Sequence, residues 1–422
     1  MTTATVGVGA SDEQLARTDV MLALRDARRG DQVGVRVVHV YKDIYPPVVG
    51  GIERHIDTIR RAMPEVDCDV VVCARSRRTR ERITDHGGEI LVGELGRVLS
   101  VPLAPTFPLW LARQRPDIVH LHMPNPTGEL SVLVTHRQTP LVVSYHADID
   151  RQAAFNPVYQ PLVRACFRRA SSILVTSRRM LKSSPTLASW AHKAEPVPYG
   201  VDVDRFDSAR VSAADRARAL LRFGSPLIVA IGRLVYYKGF EHLIAASRML
   251  DASVVIVGSG PLDAHLRMLA QDLPRVHVVG AASEEELTTY LAAADCFVLP
   301  STSRAEGFGI ATLEAQAMGV PAVVTDVGTA TVEAIEPGRS GLVVTPGSPE
   351  ELATACRQII ENPDRRQTMG IAARQHVLDH HSATALAGRL RTVYARALDS
   401  AGHRPPTVRD RRPHTLAADR AK

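Results

Sequence analysis

The sequence predicts an α/β protein made of two doubly wound parallel-sheet domains that face each other across a cleft. Two observations predict it. Short β-rich apolar runs alternate with helix-period stretches along most of the chain. That alternation runs through twice, interrupted by a polar stretch near 200–225. The glycine-rich and charge-bearing segments fall directly after predicted strands, where open α/β sheets bind their ligands.

In the first half, strands are expected at 35–41, 70–74, 90–92, 118–122, 141–145 and 173–176. Helical patterns at 52–63 and 161–169 lie between them. In the second half, strands are expected at 227–231, 253–257, 276–279, 296–299, 322–325 and 341–344. Helices fit at 240–249, 262–270, 284–293, 312–318 and 350–361. The first domain is set at 34–205 and the second at 206–384. Residues 1–33 are polar and charged, and read as a loose leader. Residues 401–422 carry Pro-Pro and several arginines without periodicity, and read as a disordered tail.

The chain has 422 residues, 45% hydrophobic and 23% charged, an ordinary globular balance. No apolar run approaches the ~20 residues of a membrane helix. The best N-terminal apolar run, 20–24, is too short for a signal peptide and is followed by Arg25. A cytoplasmic protein is the expectation. The five cysteines are odd in number and none has CxxC spacing, so reduced thiols are expected. Residues 1–200 carry a net +6, residues 201–400 a net −4, and the tail +4. Arg75, Arg77, Arg78, Arg80 and Arg82 form one basic cluster; Arg164, Arg168 and Arg169 form another. Such clusters dock on anionic lipid or nucleic acid, or form a solvated face.

Four loops carry candidate chemistry. Ser303 to Glu314 follows a strand and opens a helix. Gly307 and Gly309 let the backbone come close to a ligand, and the free amides at the helix N-terminus suit a diphosphate. Glu314 could accept hydrogen bonds from ribose hydroxyls, and Glu306 could hold sugar hydroxyls. The second loop, 232–239, places Arg233 and Lys238 at a strand end, where they could neutralise a leaving diphosphate. The third, 45–53, offers the amides of Gly50 and Gly51 from the opposite domain. In the fourth, 144–150, His146 could contact the reacting sugar or the acceptor.

Other patterns are weaker. His120 and His122 point to one face of their strand. Without a further Cys or His at suitable spacing they read as core or cleft histidines rather than a zinc site. Gly258 to Asp263 opens like a dinucleotide fingerprint, but Asp263 stands where the third Gly or Ala belongs. The D-x-D pairs Asp67/Asp69, Asp148/Asp150 and Asp202/Asp204 have a spacing that some metal-using transferases share. The first lies before a strand and the third beside the linker.

Together the loops resemble the retaining GT-B glycosyltransferases of family 4, from about Val35 to about Arg396. The matching pieces are Pro46-Pro47 with Gly50-Gly51, Ser144 to Asp148, Pro198 to Asp202, Gly232-Arg233 with Lys238-Gly239, and Glu306 to Gly309 with Glu314. Arg233 to Lys238, with Asp326 to Thr331, looks like bacterial mannosyltransferases of surface polysaccharide synthesis, which commonly use GDP-mannose. The resemblance implies two Rossmann-like domains and a closing helix, 385–400, that crosses back to the first. It implies diphosphate binding by Arg233 and Lys238, and donor-sugar binding by Glu306. It implies backbone contacts from Gly307, Phe308, Gly309 and Ile310, and ribose binding by Glu314. Gly50 and Gly51 would close over the phosphates, and His146 would sit beside the anomeric carbon. No cofactor or metal is implied beyond the nucleotide-sugar donor. One departure is that Val327-Gly328-Thr329 and Thr331-Val332-Glu333 stand where many members carry Gly-Gly and Pro-Glu.

The activity so implied is hexose transfer, mannose favoured, to a glycan or lipid-linked acceptor, with retention and without metal. The expected location is cytoplasmic, with weak association to anionic membrane and no nucleic-acid partner. An epimerase or phosphorylase of the same fold is disfavoured by the Glu306/Glu314 loop, and a nicotinamide oxidoreductase by Asp263. The cation pair and both glutamates disfavour a non-catalytic sugar-nucleotide binder. The acceptor itself is not legible.

Overall fold

The computed structural model describes residues 34–48, 50–98, 100–148 and 156–402. The leader 1–33, Asp150 and the tail from 403 onward lie outside the described residues.

The first half contributes strands β1 (Arg36–Val40), β2 (Asp67–Cys73), β3 (Arg80–Thr84), β4 (Gly87–Val92), β5 (Arg97–Val98), β6 (Val101–Pro102), β7 (Ile118–Met123), β8 (Leu141–Tyr145), β9 (Ser172–Val175) and β10 (Ala194–Pro196). Its helices are α1 (Gly51–Ala62), α2 (Phe107–Ala112), α3 (Pro126–Thr135), α4 (Asn156–Arg169) and α5 (Arg178–Ser183). Eight of the strands form one sheet in the order β10-β9-β8-β7-β1-β2-β4-β3. It is parallel except where β3 returns antiparallel to β4. The central strands are buried on both faces, which is why they read as continuous apolar runs rather than alternating ones. Phe107, Trp110, Leu111, Val132, Val163 and Phe167 from α2–α4 fill one face of the sheet.

The second half adds α6 (Ala213–Phe223), β11 (Leu227–Ile231), α7 (Phe240–Ser247), β12 (Ser253–Val257), α8 (Asp263–Ala270), β13 (Val276–Gly280), α9 (Glu284–Ala293), β14 (Cys296–Leu299), α10 (Ile310–Ala317), β15 (Ala322–Thr325), β16 (Gly341–Val344), α11 (Pro349–Ile360), α12 (Pro363–His376) and α13 (Ala383–Ser400). Its six strands pair in parallel, in the order β13-β12-β11-β14-β15-β16. Two apolar clusters cover the two faces of this sheet. Helix α13 leaves the second domain and packs Leu386, Leu390, Val393 and Tyr394 against Val37, Ile59, Ile118 and Val142 of the first.

The structure departs from the sequence reading in several places. The stretch near 200–225 holds helix α6, capped by the Ser212 side chain on Asp215 N, with Ala219 and Phe223 in the second-domain core. Helix α12 has no apolar stripe, yet it buries Met369 and Ala373 and brings Gly370 against the chain end of α10. Strand β3 was read only as a basic cluster. Its charged sequence is the edge of the sheet, where like-minded pairing with another chain is discouraged. Asp67 and Asp69 lie within β2 rather than before it, and Arg36 meets both. All five cysteines are free and buried.

In each sheet the strand order reverses at one point. β1 has β2 on one side and β7 on the other; β11 has β12 on one side and β14 on the other. The loops after β1, β11 and β14 therefore leave from the two switch points, where a crevice opens at the carboxyl ends of the strands.

Candidate active site

The second-domain side of the cleft is built from two loops fastened to each other. Thr302 N donates to the Tyr237 carbonyl at 2.8 Å. Gly239, at φ 64°, lies so close to the Pro300 carbonyl that a Cβ would stand 2.1 Å from it. This contact leaves no room for any side chain. It holds the turn Tyr236–Lys238 against the exit of β14.

Lys238 is thereby aimed back along the loop, its Nζ 2.5 Å from Glu306 Oε2. Ser301 Oγ donates to the same oxygen at 3.1 Å. Both members of the ion pair are nearly buried, with side chains 12% and 9% exposed. Burial pulls the Lys238 ammonium down, but the Glu306 carboxylate and Tyr237 more than reverse it, so its pKa stands above the ordinary lysine value. Arg233 is exposed at the mouth of the same loop. The loop then turns at Gly309, which caps α10 from the left-handed region at φ 85°; a Cβ there would meet Leu299 Cδ2 at 2.4 Å. Thr312 N already bonds the Gly309 carbonyl at 2.8 Å, which leaves the amides of Ile310 and Ala311 as the helix-start donors that suit an anion.

Glu314 lies about one turn into the helix rather than at its mouth, and it is buried. Its Oε1 is held at 2.5 Å by Arg54 Nη1, from the first turn of α1 in the opposite domain. Sequence reasoning missed Arg54. It sits three residues beyond Gly51, and no local pattern marks a partner 260 positions away. Gly51 itself approaches Ile310, with a Cβ 3.5 Å from Ile310 Cδ1. Gly50 is the extended N-cap of α1, and a Cβ on it would collide with the Glu53 carboxylate. The two-glycine turn and the α10 mouth thus meet across the cleft. Phe308 turns away from it: its ring is buried against Tyr199, at 5.2 Å between centroids, and His381, at 5.6 Å.

His146 stands where β8 ends, but its imidazole does not face open space. Nδ1 is bonded to Tyr199 Oη at 2.6 Å and Nε2 to His122 Nδ1 at 3.0 Å. His122 Nε2 continues to His39 Nδ1 at 3.0 Å. The part of His146 that reaches the loop before α10 is its main-chain carbonyl, which would lie 3.0 Å from a Cβ on Gly307. Burial, with His55 beside it, holds the His146 pKa well below the ordinary histidine value. His39, His120 and His122 present nitrogens within 4.8 Å of one another. His120 spends both of its nitrogens on Tyr394 Oη and Ser144 Oγ. This imidazole ladder was legible only as the spacing of His120 and His122. His39 joins it because β1 and β7 are neighbours in register.

The aspartate pairs are structurally engaged. Asp148 accepts from Tyr145 Oη at 2.9 Å and Ser184 Oγ at 2.6 Å. Asp202 accepts the backbone amides of Asp204 and Arg205. Asp263 pairs with Arg267 on α8. The segment that departs from the common family pattern ties the domains together. Glu333 accepts the amides of Arg178 and Arg179, and Asp326 pairs with Arg179. Thr329 Oγ1 holds the Glu306 carbonyl at 2.6 Å.

Two parallel α/β sheets whose switch-point loops meet across a cleft, with a buried Lys–Glu pair on one wall, have the two-domain GT-B architecture. Comparison with known proteins carries this further. Residues 49–205 match the model of Glycosyltransferase Family 4, and residues 212–376 match that of Glycosyl transferases group 1. The chain belongs to this glycosyltransferase family. It is 31% identical over 345 residues to the D-rhamnosyltransferase WbpZ of Pseudomonas aeruginosa, covering 80% of this chain and 89% of that protein. It is 28% identical over 374 residues to the O-antigen chain mannosyltransferase C of Escherichia coli, covering 87% and 100%. Sucrose-phosphate synthase of Thermosynechococcus elongatus shares the fold, with a TM-score of 0.73 at 20% identity over 87% of this chain and 100% of that one. So does the Anabaena protein HepE, solved with UDP and glucose, with a TM-score of 0.69 at 18% identity over 86% and 99%.

Proposed function

We propose that the protein transfers a hexose, with mannose from GDP-mannose as the favoured donor, to a glycan or lipid-linked acceptor, with retention and without a divalent metal at the chemical step. The observation that carries this reading is the buried Lys238–Glu306 pair beside the mouth of α10. Arg233, Lys238 and the α10 amides together supply the positive charge that a departing diphosphate needs. Glu306 holds sugar hydroxyls next to the carbon whose bond to phosphate breaks. Glu314 serves the ribose.

The occupied nitrogens of His146 bear on the proton. With both ring atoms bonded and its basicity lowered, His146 is a poor general base. The acceptor proton then passes to the departing diphosphate oxygen on the same face of the sugar. The new bond forms on the face that the leaving group vacates, which retains configuration. The His146 carbonyl, close to Gly307, faces the ring as positive charge develops.

The donor assignment is supported by relatives over part of the chain. A GDP-mannose-dependent phosphatidylinositol monomannoside mannosyltransferase of Mycobacterium tuberculosis is 37% identical over 216 residues, covering 47% of this chain and 55% of that protein. The likeness to a D-rhamnosyltransferase favours a 6-deoxyhexose donor as the second reading. The net +6 of residues 1–200 supports weak association with anionic membrane. The test is a donor screen that measures nucleoside diphosphate release. A UDP-sugar preferred over every GDP-sugar by about tenfold in kcat/KM, some 1.4 kcal/mol of transition-state binding, overturns the assignment.

A further inference from the structure

Thirteen large apolar side chains are exposed among the described residues. Six of them fall within one 40-residue segment: Leu95, Val98, Leu103, Leu109, Leu130 and Val134. The other seven are spread between Leu221 and Leu378. The six belong to neighbouring pieces of surface. Leu95 N bonds to the Leu103 carbonyl, and Val98 opposes Val101 in the β5–β6 hairpin. Thr127 Oγ1 ties the Pro102 carbonyl to the start of α3. Leu130 and Val134 are one turn apart on α3, and Leu109 is on α2, which packs beside it.

The charge of this surface has one sign. Across α2, α3 and α4 the sole carboxylate is that of Glu129, which is fully buried and bonded to Asn125 N. Asp117, just beyond α2, is half-buried and accepts Arg36 N. The same helices and the turns after them carry Arg115, Arg137, Arg164 and Arg168, all exposed, and the half-buried Arg113. The other basic cluster is partly neutralised: Arg75 pairs with Asp43 and Arg82 with Glu89. The hairpin also adjoins the cleft, because Arg97 is bonded to Asp43 in the loop that leads to Gly50.

We propose that the β5–β6 hairpin and the outer faces of α2, α3 and α4 form a docking surface for an anionic lipid bilayer, oriented so that the cleft mouth opens toward the headgroups. Exposed leucines and exposed arginines on adjoining elements, with no exposed carboxylate on the three helices, match the needs of an interfacial surface. The apolar side chains enter the headgroup–acyl boundary while the guanidinium groups meet lipid phosphates. The inference rests on the reading of the acceptor as lipid-linked, and it adds how that acceptor is reached.

The experiment is co-sedimentation of the full chain with phosphatidylcholine vesicles with and without phosphatidylglycerol, at low and high salt. Three proteins are compared: wild type, the triple variant Leu109→Ser, Leu130→Ser, Val134→Ser, and the control Leu221→Ser on the second domain. Wild type and control bind phosphatidylglycerol vesicles in a salt-sensitive way. The triple variant partitions about tenfold less or weaker still, with an unchanged urea midpoint. Absence of wild-type binding overturns the proposal. So does equal binding by the triple variant, or a wild-type dimer that the triple variant converts to monomer, which would make this face a protein interface. Donor turnover on a short soluble acceptor, measured without vesicles, is read alongside. Its loss in wild type defeats the glycosyl-transfer reading alone, since vesicle binding does not depend on it.

Discussion

Replacing Glu306 by Gln removes one charge from an ion pair whose two side chains are about nine-tenths buried. Stripping one partner from such a pair costs about 3–5 kcal/mol, because the remaining charge is left uncompensated. The Ser301 hydroxyl can still bond the new amide, so the lower end applies, about 3 kcal/mol, or roughly a hundredfold in the folding equilibrium. A bound nucleoside diphosphate restores negative charge beside Lys238. The stabilisation it confers, read as a shift in urea midpoint, is therefore larger in Glu306→Gln than in wild type. Turnover follows separate logic. A lost charged hydrogen bond of about 1.5–3 kcal/mol, felt mainly as charge develops on the sugar, lowers kcat by about ten- to a hundredfold or more and moves donor KM less. Adding Lys238→Met to Glu306→Gln recovers the urea midpoint but not turnover. A folded Glu306→Gln with wild-type kcat refutes the role given to this carboxylate. Equal ligand-induced shifts in the two proteins refute the placement of Lys238 at the diphosphate.

Four other outcomes follow from the same geometry. Glu314→Gln raises donor KM by about tenfold with little change in kcat, since the ribose is the same in ground and transition states; steady-state kinetics showing the loss chiefly in kcat would count against it. Gly309→Ala costs at least about 1–2 kcal/mol from its left-handed φ alone, and adds a clash with Leu299; an unaltered urea midpoint would show that the turn is not held. Burial holds the folded pKa of His39 and His55 at about 3, and those of His120, His122 and His146 well below 6.5. Their stabilisation is complete above pH 6.5 and is lost as pH falls, at about 1.4 kcal/mol per group per pH unit; Glu129, raised to about 7, moves the other way between pH 7 and 4.5. The urea midpoint should therefore drop between pH 7 and 5, and a flat profile would refute the neutral ladder. Turnover persists in excess EDTA, and a strict Mg²⁺ or Mn²⁺ requirement would reverse that view.

The strands of the second domain were legible almost residue by residue because a parallel sheet buried on both faces leaves no choice of residue type: LIVAI and SVVIV admit one interpretation. The loops that bear Gly309, Gly239, Lys238 and Glu306 were legible for a related reason. Turns this tight demand glycine, and a charge placed beside one at a strand end stands out. What the sequence left open were elements whose identity depends on distant partners. Helix α12 carries no stripe, and Met369, Gly370, Ala373 and His376 are buried because distant elements, among them the end of α10, pack on it. Strand β3 exists only as the antiparallel partner of β4. The side-chain environment of the site belongs to the same class. Arg54 meets Glu314, His39 completes the ladder whose His122 takes Nε2 of His146, and Tyr199 takes its Nδ1, only because strands and helices far apart in the chain come together. Local propensity and spacing act over a few residues. A charge pair between domains, or an imidazole held neutral by burial, is decided by the packing that surrounds it.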